Sequence, residues 1–189
     1  MQMKSIQLIQ LHALYHEHLT RDFPTNELRS YENMKKLYHK GHYKILGYYK
    51  NHQLLAYACL ATCPQHQYYL LDYFAVLPEY RSQKIGSQFL KELTQKLDAN
   101  GLIIEVETPS YANSPEEKKL RLRRIDFYTR NGATLSGVSG ELFHVHFTLL
   151  YLPIQIEIHQ EQLLHSTQLL YQTLLPQHLY QQFVHLSFS

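Results

Sequence analysis

The stretch "LLDYFAVLPEYRSQKIGSQFL", residues 70–90, decides the fold because a strand pattern changes into a helix pattern within it. Apolar and aromatic residues before Pro78 are typical of a buried strand, and apolar residues after the turn recur at helical spacing. The turn carries Arg81, Lys84 and Gly86. A helix N-terminus leaves backbone N–H groups unpaired, and a glycine lets a phosphate approach them closely. The turn therefore predicts a phosphate site, although an ordinary turn with solvated basic residues fits the same local pattern.

The residues around this stretch alternate between strand and helix patterns. We predict strands at residues 5–11, 43–50, 53–63, 68–77 and 102–109, and two more within 133–152. We predict helices at residues 11–23, 25–41, 85–99 and 114–132. Short connections make the strands between residues 43 and 77 antiparallel, whereas a helix crosses to the next strand and makes that pair parallel.

The composition of the chain changes after Pro153. Glutamine becomes frequent, and leucines recur at helical spacing until Pro176. We therefore expect one α/β domain over residues 1–151 and a helical extension over residues 152–189 that packs on or beside it.

Bulk properties exclude several classes of protein. The 189 residues carry a net charge of only +2, so no nucleic-acid partner is expected, although the basic run "KKLRLRRIDFYTR" leaves that alternative open. No apolar run is long enough for a signal peptide or a membrane helix, and the low number of cysteines, two, indicates a reducing compartment. These two observations predict a cytoplasmic protein without a membrane partner.

Histidines and cysteines give no diagnostic metal motif. The pairs His12/His16 and His144/His146 lack a third ligand at a characteristic spacing, and we interpret them as surface residues. Cys59 and Cys63 have no activating partner in the sequence, so we expect no metal and no acyl-cysteine intermediate.

Two motifs resemble those of the GCN5-related N-acetyltransferases (GNAT). The first is "FAVLPEYRSQKIGS", in which the matching positions are Val76, Pro78, Arg81 and Gly86. The second is "FYTRNG", in which they are Phe127, Tyr128 and Gly132. The first glycine of the family signature is Lys84 here, and a left-handed backbone at that residue would cost roughly 1 kcal/mol.

The resemblance implies a mixed, mostly antiparallel sheet with a splayed central parallel strand pair, flanked by helices. It also implies acetyl-CoA as co-substrate, with backbone groups of Phe74, Ala75 and Val76 along its pantetheine arm and an oxyanion hole near Val76. The residues implied at its pyrophosphate are Arg81, Ser82, Gln83, Lys84, Ile85, Gly86 and Ser87. Tyr128 matches the tyrosine that protonates the departing thiolate.

A base is also needed, because an amine is mostly protonated at neutral pH. Asp72 is predicted to share the strand face of Leu70, Phe74 and Val76, where a carboxylate is conspicuous. Glu105 and Glu107 share one face of the next strand, where they could bind a cationic amine and relay its proton through water. The candidate bases are therefore Asp72 and Glu105. A purely structural role in ion pairs with Arg123 and Arg124 is the alternative.

The expected function is acetyl transfer from acetyl-CoA to a primary amine of an unidentified small molecule or peptide, within a ternary complex. The alternative is a non-catalytic acyl-CoA-binding or protein-interaction module on the same fold. Residues 10–41 are expected to wall the acceptor site, and a homodimer is left open.

Overall fold

The computed structural model describes residues 1–25, 27–62 and 67–189. Within these ranges the strands form one sheet in the order β1-β2-β3-β4-β5-β7-β6-β8. They are β1 (Gln2–Ser5), β2 (Tyr43–Lys50), β3 (Gln53–Ala61), β4 (Tyr68–Val76), β5 (Gly101–Glu107), β6 (Thr134–Leu142), β7 (Val145–Pro153) and β8 (Val184–Phe188). The β4–β5 pair is parallel and the other pairs are antiparallel, which confirms the predicted mixed sheet.

Helices cover both faces of the sheet. They are α1 (Leu8–Leu14), which continues through a π-helical turn (Tyr15–Leu19) into α2 (Thr20–Asp22), and then α3 (Tyr31–His39), α4 (Ile85–Lys96), α5 (Pro115–Arg130), α6 (Gln160–Leu174) and α7 (Gln177–Phe183). Leu11 of α1, Met34 of α3 and Leu170 of α6 belong to one apolar core, whereas Phe89 of α4 belongs to the second. The two cores give a layer of helices on each side of the sheet. None of the helices in the described ranges is long and apolar enough to cross a membrane.

The prediction was wrong at the N-terminus. β1 ends at Ser5, and the helix that was expected from residue 11 already begins at Leu8. Leu11 and Leu14 are buried while Ile9 is 89% exposed, which is the burial pattern of a helix and not of a strand. The helix expected over residues 25–41 is shorter and begins at Tyr31, after the N-cap of Ser30.

The parallel pair β4–β5 is splayed. Its pairing runs from Tyr68 opposite Gly101 only to Leu70 opposite Ile103, and the strands separate beyond these residues. The backbone groups of β4 that face β5 are therefore left without a strand partner beyond Leu70. An extended ligand can pair with such an edge.

A β-bulge in β4 places Asp72 differently from the sequence prediction. Cys59 pairs with Tyr73 and Leu60 pairs with Leu71, so Asp72 is the extra residue. The bulge inverts the alternation of side chains: Leu70 and Tyr73 lie in one core, while Phe74 and Val76 pack on the other. Asp72 contacts Tyr43 of the first core. The predicted face shared with Phe74 and Val76 was therefore wrong.

The C-terminal residues form the expected helices and also an unexpected strand. β8 pairs antiparallel with β6, with Gly140 opposite Leu186, and it forms one edge of the sheet, opposite to β1. Leu170 and Tyr171 of α6 lie in the same core as Leu70 and Ile103. The extension thus adds to both a helix layer and the sheet, and its division from the rest of the chain at residue 151 stays a prediction.

Candidate active site

A cleft of about 760 Å³ opens where β4 and β5 separate, and it extends to the start of α4 and to α5. Nine of the residues proposed from the sequence line it. They are Asp72, Phe74, Ala75, Val76, Arg81, Ser82, Gly86, Glu105 and Tyr128. Lys84 and Ser87 line a separate hollow of about 420 Å³ beside α4, while Gln83 and Ile85 line neither.

The start of α4 leaves backbone donors available. The first hydrogen bond of the helix runs from the Gln88 N–H to the Lys84 carbonyl, at 3.0 Å, so the N–H groups of residues 85–87 have no intrahelical partner. Lys84 adopts a φ of 61°, as the glycine of the family signature would, which for lysine costs roughly 1 kcal/mol. At Gly86 an added Cβ would lie 3.3 Å from both Phe127 and Val76, so the absence of a side chain lets the turn pack closely. This arrangement suits a phosphate group.

Basic side chains flank the same cleft. The Nε of Arg81 donates to the Val76 carbonyl at 3.0 Å, and its Nη2 lies 3.7 Å from Asp22, a contact that orients the guanidinium. Arg123, Arg124 and Arg130 of α5 also line the cleft. Arg81, Arg124 and Arg130 also contact the carboxylates of Asp22, Glu107 and Asp126, so only part of their charge is available to an anionic ligand.

Tyr128 lies on the wall of the cleft beside two aromatic rings. Its ring centroid is 5.1 Å from that of Phe127 and 6.5 Å from that of Phe74. Burial raises the pKa of the Tyr128 hydroxyl above its usual value. The hydroxyl therefore stays protonated at neutral pH, and among the described residues it has no hydrogen-bond partner, so it is available as a donor.

A second cavity, of about 420 Å³, meets the cleft at Asp72 and Glu105. The loop before α3 contributes Leu28 and Arg29 to its walls, and α6 contributes Tyr171. The other walls come from the β6–β7 hairpin and the chain that follows α6. Two carboxylates therefore stand at the junction of two cavities.

Asp72 is held by two partners that the sequence analysis did not identify. Its Oδ2 accepts from the Arg29 Nε at 2.8 Å and from the Tyr43 hydroxyl at 2.5 Å, and its Oδ1 accepts from the Arg29 Nη2 at 3.3 Å. The Asp72 and Arg29 side chains are only 10% and 14% exposed. These partners lie 29 and 43 positions away in the chain, and no local motif connects them to Asp72.

Glu105 has a different environment. Its Oε1 accepts a 2.5 Å hydrogen bond from the Tyr171 hydroxyl, and it makes no ion pair with any described residue. Burial raises the pKa of Glu105 to about 7, with the Asp72 charge adding to the rise and the Tyr171 hydrogen bond and Arg29 opposing it. Glu107, on the same strand face, pairs with Arg124 as the structural alternative predicted. A carboxyl group with a pKa near neutral pH is suited to proton transfer.

The remaining candidate groups do not join this site. Burial, followed by the Asp72 charge, raises the pKa of the Cys59 thiol well above its usual value, so the thiol is a poor nucleophile. Cys63 lies outside the described residues. Within the described ranges there is no group of three or more side chains arranged to hold a metal ion.

Comparisons with known proteins agree with this architecture. The sequence model described as the acetyltransferase (GNAT) family matches residues 8–132. No curated protein sequence matches the chain significantly.

Several solved structures share the fold at low sequence identity. A protein described as a GNAT-family acetyltransferase from Bacteroides thetaiotaomicron superposes with a TM-score of 0.69 and 20% identity, covering 86% of this chain and 90% of its own. The ribosomal-protein-S18-alanine N-acetyltransferase from Escherichia coli gives 0.58 and 19%, covering 83% and 96%. A spermidine N-acetyltransferase chimera of Vibrio cholerae SpeG and hSSAT gives 0.60 and 11%, covering 80% and 94%. With a family match that covers about two-thirds of its length, residues 8–132, and this cleft between splayed strands, the chain belongs to the GNAT acetyltransferase family.

Proposed function

We propose that the protein transfers an acetyl group from acetyl-CoA directly to a primary amine. The observation that carries this proposal is the position of Glu105, a carboxyl group with a pKa of about 7 where the two cavities meet. The larger cleft would hold acetyl-CoA, and the smaller cavity would hold the amine. The named relatives acetylate an alanine of a ribosomal protein or spermidine, and both acceptors offer a primary amine.

The residues around the larger cleft fit acetyl-CoA. The N–H groups at the start of α4 and the side chain of Arg81 would hold the pyrophosphate, and the free edge of β4 near Phe74 and Val76 would pair with the pantetheine arm. The arginines of α5 line the same cleft and would contact the 3′-phosphate of CoA. Bound acetyl-CoA supplies the activated acetyl group as a thioester.

The proton transfers fall to two residues. Glu105 in its ionised form accepts the proton that the amine loses as its nitrogen bonds to the acetyl carbon, and it releases that proton to solvent before the next turnover. Tyr128 donates a proton to the thiolate released when the carbon–sulfur bond breaks, and it regains one from solvent. Asp72 is bonded to Arg29 and Tyr43, so it has a positioning role and is not the base.

Turnover separates this function from its rival. Steady-state release of CoA should depend on both acetyl-CoA and an added primary amine, and the product should be the N-acetyl amine by mass spectrometry. Calorimetry that shows acetyl-CoA binding together with no amine-dependent release across a broad panel would support the non-catalytic binding module instead.

Loss of the Tyr128 hydroxyl tests its role as the acid. Tyr128→Phe should lower kcat about 10²-fold, within the range for general acid catalysis, and leave the Kd for acetyl-CoA little changed. The aromatic packing on Phe74 and Phe127 is retained in this variant. Tyr80→Phe, at the 3₁₀ turn after β4, is the matched control. Wild-type kcat in Tyr128→Phe would reduce Tyr128 to a packing residue.

A charge reversal tests the phosphate turn. Lys84→Glu should weaken acetyl-CoA binding about tenfold, because it places a negative charge beside the pyrophosphate at the helix N-terminus. The Lys84 side chain is exposed, and an acidic residue is favourable at that helix position, so the fold should persist. Lys50→Glu makes the same charge change at the exposed end of β2, outside the hollow that Lys84 lines, and should bind normally. If calorimetry gives equal Kd values for acetyl-CoA in the two variants, the pyrophosphate does not bind at this turn.

A further inference from the structure

The smaller cavity has mostly apolar walls. Apolar side chains reach it from the loop before α3, from the β6–β7 hairpin and from the chain after α6. They include Leu28, Leu142, Phe143, Val145, Phe147 and Leu179. Its volume of about 420 Å³ lies within the range that small-molecule sites occupy, which is roughly 300–1,000 Å³.

The charges in this cavity are few and largely compensated. Arg29 and Asp72 neutralise each other through their hydrogen-bonded ion pair. Glu105 remains for the reacting amine. Glu27 is the one further carboxylate among the described lining residues, and burial, followed by the nearby Glu107 charge, raises its pKa. A second ammonium group would therefore meet mostly apolar walls, with the Glu27 carboxyl and the unpaired side-chain oxygen of Asn33 as its polar contacts on the side of α3.

We propose that the acceptor is a primary monoamine carried on an apolar body, and not a polyamine. The walls of the acceptor cavity are mostly apolar, and the ion pair in its lining joins Arg29 to Asp72, so that neither charge is left for the ligand. The proposal rests on the proposed function, since it assigns the smaller cavity to the acceptor. The amine meets Glu105 at the junction with the larger cleft. Its body lies against Leu142, Val145 and Leu179, where burial of carbon surface contributes to binding. A second ammonium buried there without a full ion partner is costly.

Two amines with the same six-carbon chain give the sharpest test. Hexylamine and 1,6-diaminohexane differ by one terminal ammonium group, and hexylamine should have a kcat/KM at least about tenfold higher, since each 1.4 kcal/mol of unfavourable burial is one factor of ten. Spermidine should be a poor substrate for the same reason. A preference for the diamine or for spermidine would overturn the proposal.

Substitutions in the cavity wall test whether the preference for hexylamine arises in this cavity. Leu179→Glu adds a carboxylate to the apolar wall and should reduce the hexylamine preference or reverse it. Ile9→Glu, on the exposed face of α1, makes the same change outside every cavity described above and should leave the preference unchanged. Glu27→Gln tests the remaining carboxylate of the cavity directly: it should change kcat/KM for hexylamine and for 1,6-diaminohexane by the same factor, whereas a loss confined to the diamine would mean that a second ammonium group uses Glu27 and would overturn the proposal. Melting curves confirm that each variant is folded.

Binding distinguishes this proposal from the proposed function. Calorimetric titration of each amine into the CoA-saturated protein reports affinity without chemistry. Tighter binding of hexylamine without turnover would support the acceptor class and contradict the transferase function. Turnover with a preference for the diamine would support the transferase function and contradict the acceptor class. The absence of both binding and turnover for hexylamine would also overturn the acceptor class.

Discussion

Replacement of Glu105 by glutamine is expected to lower kcat by about 10²- to 10³-fold, because glutamine keeps the shape of the side chain but cannot accept a proton. The amide oxygen can still accept the hydrogen bond from Tyr171, so the pocket should remain intact. The Kd for acetyl-CoA should therefore be unchanged by calorimetry. If the variant keeps the wild-type kcat, the base is not Glu105 but an ordered water or another group.

The pH dependence of the wild-type protein should report the same residue. Glu105 must be ionised to act, and its pKa is about 7, so kcat/KM should rise with pH through that value. Tyr171→Phe removes the hydrogen bond that opposes the rise in this pKa, and the profile should move to higher pH. In Glu105→Gln the inflection near pH 7 should disappear. A wild-type inflection that persists in that variant would assign it to another group.

Stability should change with pH in a matching way. The pKa of Glu105 is raised from 4.5 to about 7 on folding, so the folded state holds its proton more tightly than the unfolded chain. This group therefore leaves the free energy of unfolding unchanged below about pH 4.5. Between that pH and pH 7 it lowers the free energy of unfolding, and the total loss is about 3 kcal/mol. Glu105→Gln removes the loss. Its melting temperature should differ little from wild type near pH 5 and exceed it at pH 8, and equal differences at both pH values would contradict the assignment.

Asp72→Asn is expected to destabilise the protein by about 3–5 kcal/mol, because it leaves the guanidinium of Arg29 buried without a counter-charge. Urea denaturation at pH 7 measures this loss. Combining Asp72→Asn with Arg29→Met removes the unpaired charge and should recover part of the stability.

An exposed ion pair provides the matched control. Asp126 and Arg130 approach to 3.1 Å, but their side chains are 61% and 69% exposed, so Asp126→Asn should change stability little. If Asp72→Asn keeps wild-type stability and instead loses turnover at neutral pH, with partial recovery at high pH, Asp72 is the base after all.

Local sequence patterns predicted the central elements well. The predicted span of β2 matches the structure, and the strand-to-helix change around Pro78 is present. The helix predicted from residue 114 begins where the Ser114 hydroxyl caps α5, by accepting from the Glu117 N–H at 3.1 Å. The Glu117 carboxylate accepts from the Asn113 N–H, one residue before this cap. These features depend on neighbours within a few positions of the chain, where propensity and spacing carry the information.

The candidate site was predictable only in part because its key contacts span long separations. Arg29 reaches Asp72 across 43 positions, and Tyr171 reaches Glu105 across 66. A single extra residue in β4 also exchanged the two faces of that strand, which no alternation pattern reveals. The sequence therefore identified the carboxylates but not which of them would be neutralised.

The position of Tyr171 and of β8 late in the chain has a consequence for biosynthesis. A ribosome delivers β1 through β7 before α6, yet Glu105 acquires its hydrogen-bond donor only after α6 docks, and β6 acquires its outer partner only when residues 184–188 have emerged. Domains fold as units during synthesis, so a nascent chain that already displays the phosphate turn still lacks the finished environment of its base. The environment of Glu105 and the pairing of β6 are accordingly complete only after residues 160–188 have emerged and docked.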